Sequence, residues 1–225
     1  MIEPIDPKLP FLIGIHGHAR TGKDTISEYF QHQVQNCYSE SFADPLKQAC
    51  AAAFGISLTS FYAPEEKEVT NAFWKTSPRQ IAQFVGTELF REALCNLLGI
   101  EQASTFWIRR MYGKLSGEQR GDNDGDYQPD DIVIIPDVRF QNELDFILSN
   151  NGTIIHLTRP GADGIIGIPN HASEAGITFP PDNSNIFLIE NNSTLEALYE
   201  KVDTIIDTLF PITDLNLPKF HINNL

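Results

Sequence analysis

The stretch "PFLIGIHGHARTGKDTISEYF", residues 10–30, constrains this chain more than any other. Its first seven residues are a short apolar run that reads as a buried strand. Gly17 and Gly22 follow, separated by four residues, and Lys23 comes directly after them. Beyond Lys23, the residues Ile26, Tyr29, Phe30 and Val34 fall near helical spacing. Strand, glycine loop and helix in this order is the setting in which a backbone cradles phosphate. The glycines let N–H groups turn inward, the helix N-terminus adds its dipole, and the lysine reaches the outer phosphates. The usual pattern has Ser or Thr directly after the lysine. Here Asp24 stands in that place and Thr25 comes one position late.

The remaining pattern alternates strands with helices. "CYSESFAD" (37–44) is read as a second strand, and Pro45 then opens a helix that Gly55 closes. Ser77, Pro78 and Gln80 form a helix start with a capping box. Ile81, Phe84, Val85, Leu89, Leu94 and Leu97 are expected to mark its apolar side, with Gly86 a close approach or a break. "STFWIRRMYGKL" (104–115) reads as another helix. Ile132 to Ile135 form an unbroken apolar run, which suits a strand covered on both faces. "GTIIHLTRP" (152–160) and "NIFLIEN" (185–191) read as strands, and Ser193 with Glu196 as the capping box of a last helix. The expected fold is α/β, a parallel sheet of about five strands with helices on both faces. Ligands in such sheets sit at the carboxyl ends of strands. The rule points to the loops after residues 16, 135 and 157.

Composition narrows the partners. A chain of 225 residues with formal charge −14 is an improbable carrier of a broad basic face for duplex nucleic acid. A few arginines in a cleft can still dominate a local field and attract a small anion. No apolar run is long enough to span a bilayer, and no signal peptide is expected. Cys37, Cys50 and Cys95 are too scattered for a disulfide framework or a zinc site, and read as reduced thiols in a cytoplasmic protein. The acidic loop "SGEQRGDNDGDYQPDD" (116–131) resembles a calcium loop only loosely. Its Gly is misplaced, and Val133 stands where the bidentate Glu belongs.

Residues suited to phosphate chemistry sit where the strand-end rule points. Beside a triphosphate, an unpaired carboxylate would be repelled, so Asp24 is expected to face Mg²⁺, a basic side chain or a second phosphate. It is also a favourable residue for a first helical turn. Thr25 can supply the hydroxyl to the metal shell. Asp137, at the end of the apolar run, is placed to help hold Mg²⁺. Arg139 has the planar fork for bidentate phosphate binding, and an Asp–Arg structural pair is the plainer alternative. Arg79 and Gln83 lie four apart on one helix and share a face. Arg159 ends a strand before a long Gly/Pro/Asn-rich segment that has the length of a lid. Asp44 and Lys47 follow the second strand, where Lys47 would meet a phosphate or cap a solvent face. Trp107 would stack a base or belong to the core. His171, Ser173 and Glu174 form no nucleophilic triad and read as loop-ordering groups.

"GHARTGKDT", "FADPLK", "PRQIAQFVGTELFR", "DVRFQNE" and "HASE", in this order, resemble the deoxynucleoside monophosphate kinases of large bacteriophages, within the phosphate-loop (P-loop) kinase superfamily. The resemblance runs from about residue 11 to about residue 175. It implies ATP as phosphoryl donor, Mg²⁺, and several deoxynucleoside monophosphates as acceptors. It implies donor-site roles for Gly17, Ala19, Arg20, Thr21, Gly22, Lys23, Asp24, Thr25 and Arg159. On the acceptor side it implies Arg79 and Gln83, with Arg139 near the transfer point, and Asp44, Lys47 and Trp107 join the acceptor candidates by placement alone. A helical acceptor region over about 56–118, a lid over about 159–184 and a C-terminal arm over about 210–225 complete the expected single domain. A homodimer and a (host) cytoplasmic location are further expectations. The competing readings are another small-molecule kinase on the same scaffold, of the dephospho-coenzyme A or phosphomevalonate type, or a nucleotide-binding switch without an acceptor pocket.

Overall fold

The computed structural model describes residues 9–99, 105–117, 127–162 and 176–211. Its strands are β1 (Phe11–His16), β2 (Cys37–Ser39), β3 (Ile132–Val138), β4 (Thr153–Thr158) and β5 (Ile186–Glu190). They form one sheet in the order β2-β3-β1-β4-β5, and every pairing is parallel. β1 lies at the centre, flanked by strands that come later in the chain. The loop leaving β1 therefore opens where the crossovers diverge to either side, which is where α/β sheets bind ligands.

Alternate residues of the central strands serve two layers. Leu12, Val133, Ile135 and Ile154 pack against α2 (Asp44–Phe54), α3 (Pro78–Phe84), α5 (Phe106–Ser116) and α6 (Gln141–Ser149). Ile13, Ile15, Ile134, Ile155 and Leu157 pack against α1 (Lys23–Gln33) and α7 (Leu195–Leu209). A strand buried on both faces needs apolar residues at every position, which is the pattern of 132–135. Each such fully buried aliphatic side chain contributes roughly 1.5–3 kcal/mol. No helix among the described residues is long and apolar enough to cross a membrane.

Three expectations are corrected. The second strand is only three residues long, because Ser41, Phe42 and Ala43 turn their donors to the Asp137 carboxylate instead of a ladder. The last helix is capped by Thr194, whose hydroxyl accepts from Ala197 N at 3.3 Å, rather than by Ser193. The third concerns the helix from Pro78. After α3 it continues as a π-helical segment, Val85–Leu94, and ends in α4, Cys95–Leu98. Wider turns shift the buried face: Ile81, Gly86, Arg91 and Cys95 point inward, while Phe84, Leu89 and Leu97 are exposed. Gly86 is the close approach, since a Cβ there would lie 2.6 Å from Leu46 Cδ2. Trp107, for which stacking and core roles are both expected, is 5% exposed, donates its indole N–H to Gly86 O at 3.0 Å, and also lines the cleft between α2 and α5.

Phe210, at the start of the expected arm, packs edge-on against Phe11 with ring centroids 5.8 Å apart. Residues 212–225 of that arm lie outside the described residues, as do 118–126 of the acidic loop and 163–175 of the expected lid, with His171, Ser173 and Glu174.

Candidate active site

The glycine loop is built by backbone constraints that few sequences meet. Gly17 passes so close to β4 that a Cβ would lie 2.2 Å from Leu157 O. Gly22 has φ 107°, a conformation that favours glycine, and it caps α1. Arg20 also takes a left-handed φ of 66° and points to solvent. Thr21 is buried; its hydroxyl donates to His18 O at 2.9 Å and so closes the loop on itself. Asn191, just past β5, donates from Nδ2 to Thr21 O at 2.8 Å, while its own N–H donates to Thr158 O at 2.7 Å. The loop is thus tied to the ends of two neighbouring strands. Lys23 Nζ donates to Gly17 O and His18 O, both at 2.7 Å, and stands across the loop. Ala19 is half-buried in the loop, Thr25 half-buried in the first turn of α1, and Asp24 beside it is exposed.

Beneath the loop, His16 and His156 stack with centroids 5.2 Å apart, and Phe179 packs against both rings. His16 Nδ1 donates to Val138 O at 2.9 Å. Burial pulls the His16 pKa from 6.5 down to about 4, and burial with the nearby His18 lowers His156 as well. Both are neutral at physiological pH.

The acceptor-side candidates come from elements far apart in sequence. Asp137 accepts from Ser41 Oγ at 2.6 Å, Phe42 N at 3.0 Å and Ala43 N at 2.9 Å, fixing the turn into α2. Three of its roughly four acceptor positions are thereby taken by protein. On α2, Asp44 accepts from Tyr62 Oη at 2.7 Å and lies 3.5 Å from Lys47 Nζ, which sits 4.0 Å over the Tyr62 ring. Arg79 is nearly buried; it pairs through Nε with Glu68, and its N–H donates to Lys67 O at 2.9 Å. Gln83 is buried one turn on.

Arg139 follows β3 and its N–H donates to Glu143 Oε2 at 2.9 Å. Glu143 Oε1 takes Arg91 Nη2 at 2.5 Å, and the Arg91 guanidinium lies 3.9 Å over the Phe140 ring. Burial pushes the Glu143 carboxyl upward, and Arg91 pulls it back. The pair fixes the backbone that presents Arg139. Arg159 is exposed at the end of β4, on the loop's other flank.

A cleft of about 170 Å³ lies between α2 and α5, with Asp44 in its lining. Gln48, Trp107, Arg110 and Met111 line it, with Glu40, which both Lys114 and Tyr127 hold. None of its lining residues belongs to the 17–25 loop.

Lys23, Asp24 and Thr25 share the first turn of α1, Lys47 lies beside Asp44 on α2, and Arg79 pairs with Glu68. Sequence reasoning missed Asn191, the Arg91–Glu143 pair and the two histidines. The strand-end rule would have found Asn191, and the pair joins the last residues of two quoted motifs.

A family model described as deoxynucleotide monophosphate kinase matches residues 57–202. The chain belongs to that family. A protein of Acanthamoeba polyphaga mimivirus, provisionally named a deoxynucleotide monophosphate kinase, is 33% identical over 200 residues, covering 87% of this chain and 96% of its own. The deoxynucleotide monophosphate kinase of Enterobacteria phage T4 is 32% identical over 79 residues, 35% of this chain and 30% of that protein. A crystal structure of a provisionally assigned kinase from Chloroflexus aurantiacus covers 90% of this chain and 97% of its own, with 14% identity and a TM-score of 0.41. The enzyme is accordingly a phosphotransferase. Its family match contains Arg79, Arg139 and Arg159, while the glycine loop precedes the matched span.

Proposed function

We propose that this deoxynucleotide monophosphate kinase moves the γ-phosphoryl group of ATP to a deoxynucleoside monophosphate. An acceptor phosphate oxygen bonds to the γ-phosphorus, the bond to the β-phosphate bridge breaks, and ADP leaves. The observation that carries this reading is the meeting of two halves at the sheet's carboxyl edge. A glycine loop with Lys23 follows β1, and basic side chains, Lys47 on α2 and Arg79 on α3, stand ready for a second phosphate. A nucleotide switch needs the first half only.

Phosphoryl transfer asks the protein for positioning and charge neutralisation more than for covalent help. Backbone N–H groups of 17–25 would hold the donor phosphates, with Lys23 exchanging its two loop carbonyls for phosphate oxygens. Arg139, presented by Glu143, and Arg159 would offset charge on the transferring group from opposite flanks. Arg79 would hold the acceptor phosphate. The cleft beyond Asp44 has room and mixed polarity for the acceptor's base, with Gln48 and Arg110 as hydrogen-bonding groups.

The donor set fits Mg²⁺: Thr25 Oγ1 and the Asp24 carboxylate are hard oxygen ligands in the first turn of α1, whereas the Asp137 carboxylate is largely committed to protein donors. When bound, Mg²⁺ would neutralise charge on the donor phosphates. ADP release measured with ATP alone and with each of the four deoxynucleoside monophosphates tests the reading. Release that requires a monophosphate supports it; release indifferent to all four defeats it.

A further inference from the structure

We propose that residues 138–140 form a strut that sets where Arg139 stands relative to the donor loop, and that Glu143 is the positioning residue that fastens this strut to the helix carrying Arg79. The inference rests on the kinase reading above. The strut is held from two directions. Val138 O accepts from Nδ1 of His16, the residue before Gly17, at 2.9 Å. Arg139 N and Phe140 N both donate to Glu143 Oε2, at 2.9 and 3.1 Å. Glu143 Oε1 takes Arg91 Nη2 at 2.5 Å, and the Arg91 guanidinium covers the Phe140 ring at 3.9 Å. Arg91 belongs to the segment Val85–Leu94, which continues α3 and therefore the helix of Arg79. A run of direct contacts thus leads from the edge of the glycine loop, through the backbone of 138–140, to the acceptor-side helix.

Glu143 also has a plainer role. A Glu three residues into a helix ordinarily reaches back to the N-cap N–H, and that bond to Phe140 N is present. Capping at a solvated helix end asks for nothing further. Here the side chain of Glu143 is 2% exposed and that of Arg91 9%. Burying two charges costs about as much as their attraction returns, so an apolar pair of similar volume would join α6 to the π-helical segment as well. An apolar pair has no oxygen for Arg139 N, which lies outside the helix. That bond is what capping and packing leave unexplained.

The partner helix is shaped to the same end. Arg91 turns inward with Ile81 and Gly86, at steps of five residues that only the wider turns of its segment provide. π-helical turns recur at functional sites. Both Glu143 oxygens are engaged, so the carboxylate cannot swing away from residues 139 and 140 without breaking a buried bond. Such fixation suits a phosphoryl transfer, in which a displacement of about 1 Å at a charged group slows the step.

Steady-state kinetics on a set of variants, each with a melting curve, tests the proposal. The acceptor is the deoxynucleoside monophosphate that gives the fastest ADP release with wild type. Arg91→Met with Glu143→Leu removes both charges and the acceptor oxygens at similar volume. Arg91→Met with Glu143→Gln removes the charges but keeps an oxygen for the two N–H groups. Glu143→Asp keeps the charge and draws its oxygens back by one methylene. The Leu pair and Glu143→Asp should each lower kcat by about 10–100-fold, with the KM for ATP and for the monophosphate within about threefold of wild type. The Gln pair should recover most of that loss. Added to Arg139→Ala, the Leu pair should cost less than about twofold more, because both changes act through Arg139. Normal kcat in the Leu pair overturns the proposal. So does a Gln pair as slow as the Leu pair, since a general packing defect would slow both. A loss that adds in full to that of Arg139→Ala overturns it too. If the Leu pair does not fold, Glu143→Asp takes its place in all three comparisons. Wild-type ADP release that needs no monophosphate defeats the kinase reading first and the strut with it. A monophosphate requirement with normal turnover in the Leu pair defeats the strut alone.

Discussion

The proposed donor and acceptor halves of this site are made by different means. The donor loop is nine contiguous residues whose geometry is mostly backbone: Gly17 against Leu157 O, Gly22 at positive φ, and Thr21 closing on His18 O. The proposed acceptor half is made of side chains on separate helices: Lys47 of α2 lies on the Tyr62 ring beside Asp44, and Arg79 of α3 pairs with Glu68. Backbone geometry binds any phosphate chain, because every peptide offers the same N–H. Side chains from separate elements can be exchanged singly, so acceptor choice can change without disturbing the donor cradle. The two halves should therefore respond to mutation in separable ways.

The largest expected effect is on Lys23. Lys23→Met should lower kcat by about 10³-fold, the scale of losing a preorganised charge at the transferring group. The fold should persist, because the Nζ bonds to Gly17 O and His18 O are peripheral to the core. Steady-state rates and a melting curve check both halves of the statement. A variant with normal turnover would remove Lys23 from the donor site. Next comes Arg79→Ala, which should raise the monophosphate KM by roughly 10–100-fold while the ATP KM moves less than about threefold. Equal effects on both would break the division into halves.

This difference also explains what the sequence disclosed. The loop is local, so nine residues with a strand before and a helix after announce it. The sheet is equally legible, since the unbroken run Ile132 to Ile135 has one comfortable home. The acceptor half depends on distances between elements, and one sequence contains no record of which turn faces which helix. Arg79 is the plain case: nothing in "PRQIAQFV" tells that its guanidinium pairs with Glu68, which lies in the run "PEEKEV" before it. The π-helical segment defeated pattern reading for another reason. Its wider turn buries residues five apart, Ile81, Gly86 and Arg91, so a search at 3.6-residue spacing keeps Ile81 but passes over Gly86 and Arg91 and marks the exposed Phe84, Leu89 and Leu97.

A smaller effect sharpens the comparison from the donor side. Asn191 touches the loop through Thr21 O and gives nothing to the acceptor half. Asn191→Ala removes one hydrogen bond of about 1 kcal/mol, so the ATP KM should rise about fivefold. The monophosphate KM should stay within twofold. The two constants from one initial-rate matrix decide it; a shared rise would mean that loosening the loop also loosens the recess.

The smallest effect at neutral pH lies under the loop and grows with acid. His16 adjoins Gly17, and burial holds its pKa near 4 against 6.5 in an unfolded chain. Between these values the unfolded chain binds a proton that the folded chain refuses. The stability from a neutral His16 is thus fully present above about pH 6.5 and declines as pH falls toward 4. His156, lowered in the same direction, adds to the trend. His16→Gln keeps a donor for Val138 O and removes the titration. Its melting temperature at pH 7.5 should lie within a few degrees of wild type. Between pH 6.5 and pH 5, wild type should lose more than the variant, and thermal melts across that range measure the gap. Parallel curves would show that the histidine stack is not what ties the donor loop to acid, and would move the source of any acid loss to the carboxylates of the acceptor half.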